Sequence, residues 1–463
     1  MKYVSTRGMA PALSFEEAML TGLARDGGLY VPETWPQMTH AEIAALAGLT
    51  YEEAAFRVMK PFIGSAFSDR EFRAIIARAY AGFDHGARCP LVQTGPNDFL
   101  LELHHGPTLA FKDVAMQLIG QMFEVTLKRR GARVTIVGAT SGDTGSAAIE
   151  AFRGLEAVDL FILYPHGRVS EVQRRQMTTP AEENVHALAV DGDFDACQGL
   201  LKDMFNDFAF RDDVRLAGVN SINWARVLAQ VVYLFTAAVS LGAPYRKISF
   251  TVPTGNFGDI FAGYVAKRMG LPIDRLVIAT NRNDILHRTL ESGEHRKSGV
   301  VPSISPSMDI QVSSNFERLL FELVGRDGGA VAQLFGALKT GGFSLPQGAL
   351  GRLREEFDST RVSEDETSAT IRLAARTTGQ IICPHTAVGW KAASMKRGDP
   401  SVPMVVLATA HAAKFPDAVE AATGIRPVLP PHMADLFQRS ERVTRLANDL
   451  CAIETLIKQR IGA

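Results

Sequence analysis

The sequence has few cysteines, no surplus of either charge and no long hydrophobic run. Lysine and arginine number 49 and aspartate and glutamate 50, so no whole-molecule field would attract nucleic acid or an anionic membrane. The four cysteines are Cys89, Cys197, Cys383 and Cys451. Their spacing fits neither a paired CxxC metal site nor a dense set of disulfides, which predicts a reducing compartment. Any anion that the protein binds must be held locally.

No segment resembles an export signal or a membrane span. Residues 1–7 lack a basic stretch followed by an apolar run, and no stretch reaches the roughly 18 apolar residues of a spanning helix. We therefore expect a cytoplasmic protein. Its 463 residues, 46% of them hydrophobic, suffice for a large core and for more than one domain or one elaborated α/β unit.

Short β-branched runs recur along the chain, and each leads through Gly, Thr or Asn into a helical pattern. This alternation predicts an α/β fold with parallel sheets flanked by helices. The clearest predicted strands, short and apolar as buried strands are, span residues 133–138, 160–164, 248–252, 276–279 and 404–408.

Two parts of the chain are mainly helical instead. Residues 1–90 carry amphipathic patterns at 15–23, 41–49, 51–60 and 69–80, which predict an N-terminal helical domain. Residues 91–463 would form the α/β region. Within it, residues 325–379 are again helical and charge-rich, which predicts a helical insertion.

Lys112 stands near the start of a predicted helix. Val114, Leu118 and Met122 follow it at helical spacing. The positive end of a helix and partial burial both favour the neutral amine, the form that attacks a carbonyl. Two interpretations stay open at this point. In the first, Lys112 forms a Schiff base; in the second, its side chain extends to solvent and its neighbour Asp113 is an ordinary acidic residue of the first helical turn.

A glycine-rich turn, residues 253–259, follows the predicted strand at 248–252. Gly255 and Gly258 would let backbone N–H groups approach a phosphate without a Cβ clash. The turn lacks the GK[ST] ending of a P-loop and does not match GxGxxG, which disfavours nucleotide hydrolysis. A phosphate cradle and a plain β–α loop both fit, and the acidic Asp259 argues against a simple charge clamp.

Hydroxyls and glycines crowd a second strand-to-helix loop, residues 138–146. Such a loop can offer hydroxyls and backbone amides to the carboxylate of an amino acid. Ordinary capping of the next helix by Ser and Asp is the alternative.

Five segments, taken together and in this order, resemble the threonine synthase family of pyridoxal-phosphate enzymes, which have fold type II and are similar to the tryptophan synthase β chain. The segments are DGGLYVP at 26–32, HGPTLAFKD at 105–113, TSGDTG at 140–145, VPTGNFGD at 252–259 and ATAHAAKFP at 408–416. The resemblance covers nearly the whole chain. It implies a fold type II enzyme with an N-terminal helical domain, and pyridoxal 5'-phosphate as its cofactor.

The resemblance also implies which residues bind the cofactor. Lys112 would form the Schiff base, and Thr409 would face the pyridine nitrogen, where a hydroxyl favours elimination and replacement chemistry. Without the resemblance, Thr409 is a strand-end hydroxyl. The loop at the cofactor phosphate would consist of Gly255, Asn256, Phe257, Gly258 and Asp259.

The substrate would be bound by two further segments. Asn223 and Arg226 are three residues apart, on one helix face, and the resemblance places them near the substrate phosphate, a dianion that suits arginine. A surface arginine with a capping asparagine is the alternative. Asp143 stands where many relatives of the class carry asparagine. The pocket for the amino-acid end of the substrate would be lined by Ser141, Gly142, Asp143 and Thr144.

The histidines are weaker candidates. His104, His105, His385 and His411 share no metal-ligand spacing, so no metal is expected. His411, two residues after Thr409, is expected to lie nearest the cofactor ring.

The implied activity converts O-phospho-L-homoserine and water to L-threonine and phosphate, the last step of threonine biosynthesis, with Lys112 as the base at Cα. One alternative is a phospho-lyase on the same scaffold that releases a keto acid. Another is a non-catalytic homologue that only binds the cofactor. The expected partner is the small-molecule substrate, with no nucleic acid and no membrane, and the chain is expected to be a monomer or a homodimer.

Overall fold

Helices form most of the N-terminal part of the chain in this computed structural model, which describes residues 1–461. Three of these helices begin with a capping box, Ser14 with Glu17, Thr39 with Glu42 and Ser68 with Glu71, which satisfies free amides of the first turn. The elements are β1 (Tyr3–Ser5), α1 (Phe15–Thr21), β2 (Tyr30–Pro32), α2 (His40–Ala44), α3 (Tyr51–Ile63) and α4 (Asp69–Tyr80).

Strands and helices alternate through the rest of the chain. Up to residue 240 they are β3 (Leu91–Gln93), β4 (Asp98–Glu102), α5 (Lys112–Arg130), β5 (Val134–Ala139), α6 (Asp143–Phe152), β6 (Val158–Pro165), α7 (Glu171–Thr178), β7 (Val185–Val190), α8 (Phe194–Asn206), α9 (Phe208–Asp213), β8 (Leu216–Ala217) and α10 (Trp224–Ser240). Beyond it they are β9 (Ile248–Pro253), α11 (Gly258–Arg268), β10 (Ile273–Thr280), α12 (Ile285–Ser292), β11 (Glu294–Arg296), α13 (Phe316–Leu323), α14 (Gly328–Leu338), β12 (Gly342–Ser344), α15 (Ala349–Glu356), β13 (Phe357–Arg361), α16 (Glu364–Thr378), α17 (Pro384–Met395), β14 (Met404–Ala408), α18 (Pro416–Thr423), β15 (Thr444–Leu446) and α19 (Leu450–Arg460).

Two parallel sheets organise these elements. The larger has the order β13-β10-β9-β14-β4-β3, with only the edge strand β3 antiparallel to its neighbour. The smaller has the order β15-β7-β6-β5-β8 and is parallel throughout. The five predicted strands correspond to β5, β6, β9, β10 and β14, so the α/β class with parallel sheets is confirmed. Their side chains are nearly all buried, which explains their continuous apolar runs.

The N-terminal helices pack into the same hydrophobic core as the larger sheet. Tyr3 and Phe62 lie with ring centroids 6.0 and 5.9 Å from that of Trp224, the first residue of α10. The segment 325–379 holds three helices, but it also supplies β13, an edge strand of the larger sheet. The division at residue 90 and the insertion at 325–379 therefore stay predictions. No helix among residues 1–461 is long and apolar enough to cross a membrane.

Candidate active site

The amino ends of five helices meet at one cleft, where the strands of both sheets end. Lys112 and Asp143 are the first residues of α5 and α6, and Gly258 is the first residue of α11. Arg226 lies in the first turn of α10 and His385 in that of α17, and all five residues line the cleft. Ligands of α/β proteins bind at the carboxyl ends of parallel strands, and helix amino ends favour anions there.

Backbone bonds hold Lys112 close to the end of β14. The N–H of Phe111 donates to the carbonyl oxygen of Thr409 over 2.8 Å, and Ala110 forms a β-bridge with Ala410. The segment before α5 is tightly folded, since Leu109 has a φ of 64°. Thr409 lines the same cleft as Lys112, so the structure brings both predicted residues together.

Asp113 stabilises the turn before α5 through hydrogen bonds to its buried side chain. Its carboxylate accepts hydrogen bonds from the Thr108 amide and hydroxyl over 2.8 and 2.6 Å, and it is fully buried. Gly106 packs so closely that a Cβ there would lie 2.4 Å from the Asp113 Cβ. Asp113 is therefore a structural residue of the turn, and its neighbour Lys112 points into the cleft.

The Lys112 amine is largely buried beside a carboxylate. Its Nζ lies 3.4 Å from Asp143 Oδ2 and 4.6 Å from the centre of the Phe111 ring, and 12% of the side chain is exposed. Burial lowers the pKa of Lys112, Asp143 opposes this, and the cations Arg226 and Lys414 lower it further. The amine is thus biased toward its nucleophilic form.

Asp143 is the most highly connected side chain of the cleft. Its Oδ1 accepts a hydrogen bond from Gln173 over 2.9 Å and forms an ion pair with Lys414 over 2.8 Å, and Ser307 Oγ lies 3.4 Å from Oδ2. Burial alone would raise the pKa of this carboxyl, but Lys414 and Lys112 hold it well below its usual range. Asp143 is therefore a carboxylate, paired with two amines.

The turn after β9 offers backbone amides to an anion. Its carbonyls are held from outside, because Asn315 donates from its amide and side chain to the Asn256 oxygen, both over 3.1 Å. Phe257 has a φ of 65°, and Gly255 packs so closely that a Cβ would lie 2.8 Å from the Ser307 oxygen. Within the described chain, none of the amides of residues 255–259 has an acceptor. All five residues line the cleft, as a phosphate cradle requires.

Four buried polar atoms of the cleft have no partner within residues 1–461: Arg226 Nε, Gln230 Oε1, Asp259 Oδ2 and His385 Nδ1. Buried polar groups are rarely left unpaired, so these atoms indicate a polar ligand. Burial lowers the pKa of Arg226 to about 10, which leaves it cationic at neutral pH. A buried guanidinium without a carboxylate partner is a natural anion site.

The loop before α6 only partly reaches the cleft. Asp143 and Thr144 line the cleft, whereas Ser141 and Gly142, which precede them, do not. Thr140 Oγ1 accepts from the amides of Gly142 and Gly145, both over 2.9 Å, which shapes the turn. Free amides of the first helical turn remain available beside Thr144.

Asn223 does not reach the cleft. Its Nδ2 donates to the carbonyl oxygens of Met19 and Gly218 over 2.8 and 3.0 Å, and its Oδ1 accepts from the Ala225 amide over 3.0 Å. Asn223 is the fully buried N-cap of α10. It is therefore a capping asparagine, and the expected contact between Asn223 and the substrate phosphate is not supported. Arg226, by contrast, is buried in the cleft and is no surface arginine.

Several residues that line or support the cleft escaped the sequence analysis. Lys414 lies within the segment ATAHAAKFP and could have been noticed as a lysine in an otherwise apolar stretch, whereas Gln173, Gln230 and Ser307 carry no local signal. His385 accepts a hydrogen bond at Nε2 from the Ser307 amide over 3.1 Å, and burial lowers its pKa to about 4. It is therefore a neutral imidazole with a hydrogen at Nδ1, a buried donor that has no acceptor within residues 1–461 and could donate to a ligand.

The other histidines form a separate cluster. His104 lies with its ring centroid 5.1 Å from that of His105 and 5.4 Å from that of His411. His411 caps the short turn Ala412–Lys414 by accepting from the Ala413 amide. None of the three is among the cleft-lining residues, while His385 is. No group of three or more His, Cys, Asp or Glu residues that could hold a metal ion occurs between residues 1 and 461.

Comparison with known proteins identifies the class of this fold and site. The family model described as pyridoxal-phosphate dependent enzyme matches residues 93–335, the part that holds Lys112 and the amide-rich turn. The models described as threonine synthase N terminus and threonine synthase, C-terminal, match residues 2–80 and 386–457. The protein is a fold type II pyridoxal-phosphate enzyme.

Its relatives narrow this class. Threonine synthase of Pseudomonas aeruginosa is 55% identical over 461 residues, which cover 99% of this chain and 98% of the relative. The crystal structure of pyridoxal-phosphate-bound threonine synthase from Brucella melitensis matches with a TM-score of 0.96, 58% identity and full coverage of both chains. That of yeast threonine synthase matches with a TM-score of 0.93, 42% identity and coverage of 99% and 98%. The chain belongs to the threonine synthase family.

The cleft fits pyridoxal phosphate, the cofactor of this family. The free amides of residues 255–259 suit its phosphate, the Lys112 amine suits its aldehyde, and the Thr409 hydroxyl suits its ring nitrogen. Gly255 lets this turn pack against the Ser307 segment, where a Cβ would clash. The unpaired polar atoms of Arg226, Gln230 and His385 leave further groups for a substrate.

Proposed function

We propose that this protein is a threonine synthase that converts O-phospho-L-homoserine and water to L-threonine and phosphate. The observation that carries the proposal is the pair formed by a buried amine and a buried guanidinium on one cleft. Lys112 suits the aldehyde of the cofactor, and Arg226, cationic and without a carboxylate partner among residues 1–461, suits the phosphate of the substrate. Relatives that bear this name over the full length of the chain support the same reaction.

The chain's own residues divide the work of binding. Gly255, Asn256, Phe257, Gly258 and Asp259 would hold the cofactor phosphate, and Thr409 would face the ring nitrogen. Ser141, Gly142, Asp143 and Thr144 would receive the amino-acid end of the substrate at the start of α6. Asn223 would contribute indirectly, because it caps the helix that carries Arg226 and so fixes the position of that arginine.

The proton transfers are assigned to Lys112. When bound, pyridoxal phosphate supplies an aldehyde that joins to an amine and a ring that delocalises the electrons of a broken C–H bond. Lys112 Nζ would hold the cofactor in the enzyme without substrate. Once the substrate amine has displaced it, the free Lys112 amine would remove the proton at substrate Cα. Arg226 would fix the phosphate that leaves Cγ, and burial of the cleft would exclude water that is not the reactant at Cβ. A cytoplasmic location and a monomeric or homodimeric state remain predictions.

Two other functions would use the same cleft. A phospho-lyase would eliminate phosphate and release a keto acid, since no water would add at Cβ. A non-catalytic homologue would bind the cofactor and turn nothing over. The nucleophilic bias that burial gives to Lys112, in spite of its contact with Asp143, favours a catalytic protein.

The decisive experiment is product analysis with the purified holoenzyme and O-phospho-L-homoserine. We expect L-threonine and phosphate in equal amounts, measured by amino-acid chromatography and a phosphate assay, and no turnover of unphosphorylated L-homoserine. A keto acid in place of threonine would establish the phospho-lyase. No turnover with cofactor bound would establish the non-catalytic homologue.

The assignment of Lys112 is tested with a matched pair of variants. Lys112→Ala removes the amine and should abolish turnover and the visible absorbance of bound cofactor, with far-UV circular dichroism unchanged. Lys128→Ala, at an exposed lysine in the last turn of the same helix, should keep both. A Lys112→Ala protein with the wild-type spectrum would refute the assignment.

A further inference from the structure

A second lysine shares the carboxylate of Asp143 with Lys112. Lys414 has no exposed surface, and its Nζ lies 2.8 Å from Asp143 Oδ1 and 2.8 Å from the carbonyl oxygen of Thr108. Lys112 Nζ lies farther away, 3.4 Å from Asp143 Oδ2. One buried carboxylate therefore faces two amines that are held unequally.

The charges of these three groups decide which amine loses a proton. With both lysines protonated the trio carries a net positive charge in a buried place, next to a further cation, Arg226. Loss of one proton makes the trio neutral, which burial favours. Lys414 Nζ donates to the Thr108 oxygen over 2.8 Å and lies 2.8 Å from Asp143 Oδ1, whereas Lys112 Nζ has a single polar contact within residues 1–461, 3.4 Å from Asp143 Oδ2. The geometry therefore selects Lys112 as the amine that becomes neutral.

We propose that Lys414 is a positioning residue which, by occupying Asp143, keeps Lys112 in the neutral form that attacks an aldehyde. Lys414 does not line the cleft, so it acts through the carboxylate and touches no reacting atom. The inference rests on the proposed role of Lys112 as the cofactor lysine. It also explains how a carboxylate can stand beside that lysine without holding it as an ammonium ion.

The other groups that face Lys112 are placed on the remaining helices of the cleft. Arg226 on α10 acts in the same direction as Lys414. Asp259 on α11 would oppose it when ionised, but burial raises the pKa of Asp259 to about 7. His385 on α17 is neutral, because burial lowers its pKa to about 4. Asp143 on α6 is thus the main group that favours the ammonium form, and Lys414 is its nearest counter-charge.

The test follows how fast Lys112 captures the cofactor as the pH is varied. Full-length apoprotein is mixed with pyridoxal phosphate, reduced with borohydride after timed intervals, and the modified Lys112 peptide is quantified by mass spectrometry. In Lys414→Met, Asp143 is left to Lys112 alone, which favours the ammonium ion. We expect the rate profile to move up by about one pH unit, roughly tenfold slower capture below both midpoints.

Two further variants separate charge from structure. Lys414→Arg keeps a cation and should keep the wild-type midpoint. Asp143→Asn combined with Lys414→Met removes both charges and should bring the midpoint back toward wild type, which a merely structural role of Lys414 would not do. Should Lys414→Met fail to fold, Asp143→Asn alone must move the midpoint down, because the carboxylate that favours the ammonium is gone.

Each result has one meaning. An unchanged midpoint in folded Lys414→Met, or in Asp143→Asn if the former does not fold, overturns the role of Lys414 and leaves the proposed function intact. A wild-type protein whose modified peptide does not contain Lys112 overturns the cofactor assignment itself.

Discussion

A carboxylic acid in an anion-binding turn would repel a phosphate if it were ionised. Asp259 stands in such a turn, buried, with the Tyr233 hydroxyl bonded to its Oδ1. Burial raises its pKa to about 7. Below that pH the acid is mostly protonated and the turn carries little negative charge of its own, so Asp259 does not argue against a phosphate site there.

This raised pKa makes the stability of the apoprotein depend on pH. The folded protein binds the Asp259 proton more tightly than the unfolded chain, whose pKa is 3.8. The resulting stabilisation is complete below pH 4 and is lost as the pH rises through about 7. Asp259→Asn cannot ionise, so its melting temperature should exceed that of wild type by a growing margin, of a few degrees, between these pH values.

Thermal unfolding of the wild-type and Asp259→Asn apoproteins across this pH range measures the difference between their melting temperatures. Asp417→Asn is the control, because that side chain is almost fully exposed and its curve should run parallel to wild type. Parallel curves for Asp259→Asn as well would show that Asp259 is ionised in the folded protein.

Single residues differ in how far local sequence determines them. Lys112 was predicted at a helix start from the apolar positions that follow it, and α5 does begin there. One interpretation of the sequence makes Asp113 an ordinary first-turn acid, but its carboxylate accepts a hydrogen bond from the Thr108 hydroxyl. Lys414 was missed because its partner Thr108 lies 306 positions away in the chain. Pairings across such separations depend on the fold and leave no local pattern.

The turn between β9 and α11 is the element on which cofactor binding depends most. A Cβ on Gly255 would lie 2.8 Å from the Ser307 oxygen and 3.1 Å from Ile310 Cδ1, both in a backing segment that cannot yield freely. Gly255→Ala should therefore displace the amides of the turn and weaken pyridoxal-phosphate binding by about tenfold or more, as loss of roughly one or two hydrogen bonds to a charged group would.

Equilibrium titration of the apoprotein with pyridoxal phosphate checks this expectation. Gly351→Ala is a matched control, since a Cβ there meets nothing within 4 Å. Equal affinity of Gly255→Ala and wild type would mean that the turn does not hold the cofactor phosphate.

Among the elements, buried strands were predicted best. The runs that became β5, β6, β9, β10 and β14 lie inside the sheets, where both faces are covered and most positions are apolar. The strand β13 escaped prediction because it is an edge strand with the polar sequence FDSTR, and Phe357 was read as part of a helix. The site loops were recognised from their glycines and hydroxyls. Their common cleft was expected from the resemblance, since spacing along the chain does not encode it.

At the scale of the whole molecule, one arginine joins three distant regions. Arg318 is fully buried, and it donates to the carbonyl oxygens of Tyr30 over 3.0 Å and Ile222 over 2.6 Å and to the side chain of Asn315. Tyr30 belongs to β2, Ile222 precedes α10, and Asn315 backs the amide-rich turn. The N-terminal segment, the helix of Arg226 and the phosphate turn thus share one buried cation.

Removal of this cation should weaken stability and cofactor binding together. Arg318→Met would leave two buried carbonyl oxygens unpaired, at a cost of about 1–3 kcal/mol each, and would loosen Asn315. We expect a lower melting temperature and weaker pyridoxal-phosphate binding, although Arg318 does not line the cleft. Arg376→Met, at an exposed arginine, should change neither. A loss of stability with unchanged affinity would show that the regions are not coupled through Arg318.

The N-terminal segment supports the cleft from behind, through the Met19 oxygen that Asn223 binds, the Tyr30 oxygen that Arg318 binds and the rings of Tyr3 and Phe62 that pack on Trp224. Natural variants that disturb these contacts within the first eighty residues should consequently lower stability and cofactor affinity together, although they lie outside the cleft. A survey that ranks variants by their distance from the ligand would score these as harmless, and the diagnosis would be missed.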